Sequence, residues 1–147
     1  MDLNEIYTQV IAEHCSSTKN RREIENPDAY IEGINSSCGD ELRIGVKLEN
    51  GKIKDAAYTG VGCAISQASA SIMTELVIGK TIDEAKHLAE LFIGMIKREI
   101  TDESKLEELD EAIALQNISN MPARVKCATL AWHTFEEAVD TALSKEQ

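Results

Sequence analysis

Aromatic side chains are scarce, at 4% of the chain with a single tryptophan, so any core must be mostly aliphatic. Basic residues are also in short supply. Lysine and arginine number 15 against 26 acids, and the net charge of −11 argues against nucleic acid or an anionic membrane as partner. No apolar run approaches the length needed to span a bilayer. The opening Met1-Asp2-Leu3-Asn4-Glu5 lacks the basic and apolar regions of a signal peptide. These absences point to the cytosol, where four cysteines are expected to bind metal or react rather than pair as disulfides. Repeats, low-complexity tracts and internal linkers are missing too. With 43% hydrophobic and 28% charged residues, the 147 positions are expected to form one globular domain, residues 1–147, with a real core.

What the chain does contain is Ser37-Cys38-Gly39-Asp40, a soft thiolate and a hard carboxylate two positions apart. The glycine between them can take backbone angles closed to other residues, so a turn here could aim both side chains at one point. Two further cysteines follow, Cys63 within Gly60-Val61-Gly62-Cys63-Ala64 and Cys127 within Arg124-Val125-Lys126-Cys127. Three thiolates and one carboxylate, Cys38, Asp40, Cys63 and Cys127, make a ligand set that suits tetrahedral Zn2+.

The periodicity along the chain predicts how these residues meet. Leu3, Ile6, Tyr7, Val10, Ile11 and His14 recur at helical spacing, giving a helix over 3–15. His14 reads as a helix-end residue packed against the domain, and Cys15 as a spare, partly buried thiol rather than a fourth ligand. Residues 16–28 are polar and read as a loop. A strand over 30–34 leads into Cys38, and Leu42, Ile44, Val46 and Leu48 then alternate with polar positions in the period of a half-buried strand. Asn50-Gly51 signals a tight hairpin, so a strand over 52–59 returns antiparallel. The hairpin should bring Cys38-Gly39-Asp40 and Cys63 to the same edge of the sheet.

The rest of the chain reads as helix. Residues 64–78 carry helical spacing and many small side chains, with Cys63 at the helix start, where free N–H groups favour a thiolate. Thr81 and Glu84 form a capping box for a helix with a clean apolar face from Ile82 to Ile96, leaving His87 exposed. Residues 101–111 are acid-rich and read as the solvated face of a turn and short helix, or as a docking surface for a basic partner. Pro122 opens a last helix whose buried stripe runs through Val125, Ala128, Trp132, Phe135 and Val139. Cys127 lies off that stripe and is free to face the site, whereas His133 lies too far along to serve as a ligand. The expected fold is α+β, a small antiparallel sheet of about three strands with helices packed on one face. The metal site falls at the sheet edge and the helix ends.

Cys38-Gly39-Asp40, Gly60-Val61-Gly62-Cys63-Ala64-Ile65-Ser66, Ala68-Ser69-Ala70-Ser71 and Pro122 through Trp132 together resemble the U-type iron–sulfur cluster assembly family. That family includes the IscU scaffolds, the amino-terminal domain of NifU, and SufU. Two features look like the SufU branch: Lys126 stands where IscU members have a histidine, and the chain between Cys63 and Cys127 is longer. The family's Asp-His-Tyr and Asn-Pro-Arg-Asn signature survives only as Glu13-His14-Cys15 and Lys19-Asn20-Arg21, and Cys15 is not a family ligand position.

The resemblance implies a sulfur acceptor. A pyridoxal-phosphate cysteine desulfurase would present a persulfide to Cys38, with Asp40, Cys63 and Cys127 holding zinc and downstream iron–sulfur assembly proteins receiving the sulfur. Arg124 and Lys126 would offset a site of net negative charge, or are ordinary surface cations of a first helical turn. The alternative is a scaffold on which a [2Fe–2S] cluster is built and passed on, the aspartate oxygen making it labile. A purely structural zinc module is a third reading, disfavoured because closed structural sites use Cys and His.

Overall fold

The computed structural model describes residues 3–17 and 19–145, with side chains described over 9–17 and 19–145. The expected apolar stripe at Leu3, Ile6 and Tyr7 therefore lies outside the described side chains. The first helix, α1, spans Leu3–Ser16. Val10 and Ile11 pack against the core from it, and His14 is buried as expected of a helix-end residue. His14 bonds Ser71 Oγ through Nδ1 at 2.8 Å and Glu111 Oε2 through Nε2 at 3.1 Å.

Strands β1 (Ala29–Asn35), β2 (Asp40–Glu49) and β3 (Lys52–Val61) form an antiparallel sheet in the order β1-β2-β3. Leu42, Ile44 and Val46 of β2 are buried under the helices while Glu41 and Arg43 face solvent, which is the alternation read from the sequence. Asn50 and Gly51 both take positive φ, 54° and 73°, as a two-residue turn matched to strand twist requires. The register sets Asn35 opposite Asp40 and Leu42 opposite Gly60, so both strand connections at the Cys38 end lie side by side. The polar stretch before β1 is more ordered than a free loop. Arg22 N–H donates to Tyr58 O at 3.0 Å and Tyr58 N–H to Asn20 O at 3.3 Å, so its backbone runs beside β3. The side chains contribute no period there, which hid the pairing.

Helices α2 (Ala64–Val77) and α3 (Ile82–Ile96) follow, the second opened by the Thr81/Glu84 capping box. Such caps contribute about 1 kcal/mol. Helix α4 is short, Glu103–Leu106, and a 3-10 segment over Glu107–Asn120 continues from it, broken at Asp110. This region is more than a solvated turn. Leu106, Leu109, Ala112, Leu115 and Ile118 are all buried. Their spacing of three fits the three residues per turn of a 3-10 helix and misses the α-helical period.

The last helix, α5, spans Pro122–Lys145 and packs on β1, β2, α2 and α3. Trp132 stacks on Phe92 with centroids 4.1 Å apart. Its indole N–H donates to Ser69 Oγ at 2.8 Å, and Ser69 in turn donates to Ala128 O at 2.6 Å. The small residues of α2 are thus what let α5 approach closely enough to carry Cys127 into the site. Among the described residues no helix is long and apolar enough to cross a membrane.

Candidate metal centre

Each candidate ligand is placed by a different element. Asp40 is the first residue of β2 and wholly buried. Cys38 sits in the turn before it, half-buried, and Gly39 takes the positive φ of 70° that this turn needs. Cys63 is the N-cap of α2. Cys127 lies in the early turns of α5, wholly buried.

The structure brings the donor atoms of Cys38, Asp40 and Cys127 within 4.8 Å of one another. Cys38 Sγ and Cys127 Sγ are 2.9 Å apart. Cys63 stands at the margin of this group. It neighbours the Cys127 thiol, and its sulfur lies 3.7 Å from Ser66 Oγ. Soft sulfur with one hard oxygen is a donor set that fits Zn2+. All four cysteines are free thiols.

Asp40 is held from several sides. Cys63 N–H donates to Oδ1 at 2.9 Å, Ser66 Oγ–H to the same oxygen at 3.0 Å, and Asn35 Nδ2–H to Oδ2 at 3.2 Å. Burial pushes the carboxyl pKa up, but these bonds and the Cys127 thiol outweigh it, and the value falls below the ordinary aspartate range. Asp40 is therefore a carboxylate ready to bind a cation. The Cys127 thiol goes the other way, since burial above all, then Cys38, Asp40 and Cys63, hold its pKa far above the usual thiol value.

The two cations expected near the site are placed differently. Arg124 bonds Cys127 and faces Cys63 and Cys38, and the bond and these charges raise the guanidinium pKa. Lys126 is exposed and lines an open groove of roughly 490 Å³ with Ile34, Ser37, Leu130 and His133. Cys15, at the end of α1, belongs to neither group of clustered metal-ligating side chains among the described residues. The second such group, His14, Glu75 and Glu111, is a hydrogen-bonded network in which Lys19 and Asn20 also bond Glu75, at 3.4 and 3.2 Å. His133 and His87 are exposed.

Three further residues around the site carry roles that the sequence alone does not assign. Asn35 was legible only through the strand register that sets it opposite Asp40. Ser66 stands one helical turn after Cys63, a position from which a hydroxyl can reach back to a helix start. A Cβ at Gly62 would lie 2.9 Å from Asp40 Oδ1, so only glycine leaves that carboxylate room.

Known proteins of similar sequence and structure agree on the relationship. Residues 6–147 match the family described as NifU-like N terminal domain. The chain is 42% identical to the iron–sulfur cluster assembly scaffold protein IscU of Thermotoga maritima, covering 91% of this chain and 92% of the relative. It is 38% identical to the zinc-dependent sulfurtransferase SufU of Bacillus subtilis, covering 94% and 92%. A crystal structure of a SUF-system scaffold protein, SufU of Fervidobacterium islandicum, superposes with a TM-score of 0.84 at 37% identity, covering 92% of this chain and 97% of the other. The chain belongs to the NifU-like N-terminal domain family, within its IscU/SufU group of iron–sulfur cluster assembly proteins.

Proposed function

We propose that this protein is a zinc-dependent sulfur acceptor that takes persulfide sulfur from a cysteine desulfurase through Cys38. The observation that carries the reading is the unequal anchoring of the candidate ligands. Asp40 and Cys127 are wholly buried on a strand and a helix and the half-buried Cys63 is fixed as the N-cap of α2, whereas Cys38 is half-exposed on a turn where a partner can reach it. The SufU relative of Bacillus subtilis, a zinc-dependent sulfurtransferase by name, supports the same activity.

Cys38, Asp40, Cys63 and Cys127 would hold the ion. When bound, zinc would keep coordinating thiols deprotonated at neutral pH. In the transfer step the Cys38 thiolate attacks the terminal sulfur of the partner's persulfide. A Cys38 Sγ–S bond forms, the partner's S–S bond breaks, and its cysteine leaves as a thiolate. Arg124, beside Cys127 and facing Cys38 and Cys63, offsets the negative charge gathered there. Downstream iron–sulfur assembly proteins then receive the sulfur. Free thiols throughout fit a cytoplasmic protein.

A second reading is favoured by the IscU relatives of Thermotoga maritima and Streptococcus pyogenes, both named as scaffolds. On that reading the same four residues hold a [2Fe–2S] cluster, and the Asp40 oxygen makes it easy to release. The deciding experiment adds the purified protein to its cognate desulfurase and measures alanine formation. A rise that Cys38→Ala abolishes, from colourless zinc-containing protein, supports the acceptor. No rise, together with a transferable visible chromophore on reconstitution with iron and sulfide, overturns it in favour of the scaffold.

A further inference from the structure

Asn35 closes β1 directly across the ladder from Asp40, and it is buried, with 7% of its surface exposed. Its Nδ2 lies 3.2 Å from Asp40 Oδ2 and 3.6 Å from Cys127 Sγ. A carboxamide carries two N–H donors, so one side chain can serve both atoms at once. Asn35 is the residue that joins the hard ligand on β2 to the soft ligand on α5.

The Cys38 sulfur is served differently. It faces the Ala123 carbonyl at 3.8 Å, an acceptor that stabilises no charge on a thiolate. The Cys127 sulfur lies 2.9 Å from it, and once both bind a metal no thiol proton remains to bridge them. Cys127, by contrast, keeps the Asn35 amide, 3.6 Å from its sulfur. Donors on an anionic ligand stabilise its charge and fix its direction, and the ligand without them is the freer nucleophile.

We infer that Asn35 is a positioning residue that pins Asp40 and Cys127 as one unit and thereby leaves Cys38 as the sulfur that meets an electrophile. The inference rests on the reading that these side chains share a zinc ion. It separates Asn35 from a residue that merely closes a hairpin, because a hairpin residue would affect folding but not the choice between thiols.

The test is to treat zinc-loaded protein with limiting iodoacetamide and score each cysteine by peptide mass spectrometry. Wild type should be alkylated at Cys38 at least about tenfold faster than at Cys127. Asn35→Asp keeps the side-chain shape and removes both donors. It should cut that preference to within about threefold and speed zinc loss to a chelator by on the order of tenfold or more. Asn35→Ser offers one donor instead of two and should shift the preference in the same direction; it decides the matter if the Asp variant does not fold. An unchanged preference in a folded, zinc-replete variant overturns the inference and leaves the metal reading standing. Wild type that holds no zinc, measured on the same sample before alkylation, overturns both.

Discussion

The sulfurs of Cys38 and Cys127 lie 2.9 Å apart although 89 positions separate them in the chain. One is carried on the turn ahead of β2 and the other on α5, so their meeting is a product of the helix docking against the sheet. What these residues do in the protein follows from how that docking treats their protons.

Burial, with Cys38, Asp40 and Cys63 close by, holds the Cys127 thiol protonated far above its ordinary range. Zinc binding at neutral pH must therefore expel at least that proton. The bound form carries fewer protons than the free form, so affinity rises with pH and falls on acidification. Titration calorimetry in buffers of different ionisation enthalpy should show net proton release on zinc binding. Zinc uptake without proton release would remove Cys127 from the ligand set.

Gly62→Ala tests the backing of Asp40. The added methyl would collide with Ser66 Oγ and stand 2.9 Å from Asp40 Oδ1, and both partners are buried and bonded. Helix content and the core should survive. Zinc retention against a chelator should weaken on the order of 10–100-fold, the usual cost of disturbing the groups that orient a ligand. Unaltered retention would mean that the donors around Asp40 do not matter to the metal.

His14 and Cys15 lie in the last turn of α1, and neither belongs to the thiol cluster. Cys15→Ser should bind zinc as the parent does. His14→Ala should lose the bonds to Ser71 and Glu111 and destabilise the fold by about 1–3 kcal/mol in urea titration, with zinc affinity unchanged. Loss of zinc in either variant would contradict the choice of ligands.

Much of this arrangement could be read before any coordinates. The β2 alternation, the Asn50-Gly51 turn, the Thr81/Glu84 box and the Pro122 start each state a local rule that the chain obeys. The hairpin alone predicts that Asp40 and Cys63 share an edge, and the Cys63 N–H bond to Asp40 makes that concrete. Two features were hidden for physical reasons. The 3-10 segment from Glu107 to Asn120 buries residues at a spacing of three, which neither the helical nor the strand period registers. Asn35 carries no signal of its own, because its role depends on strand register and on where α5 settles.

The most direct test of the account is zinc K-edge X-ray absorption on the loaded protein. Three sulfurs at about 2.3 Å and a single oxygen at about 2.0–2.2 Å, the set given by Cys38, Cys63, Cys127 and Asp40, is the predicted shell. A shell of four sulfurs, or one of nitrogen and oxygen alone, would contradict it.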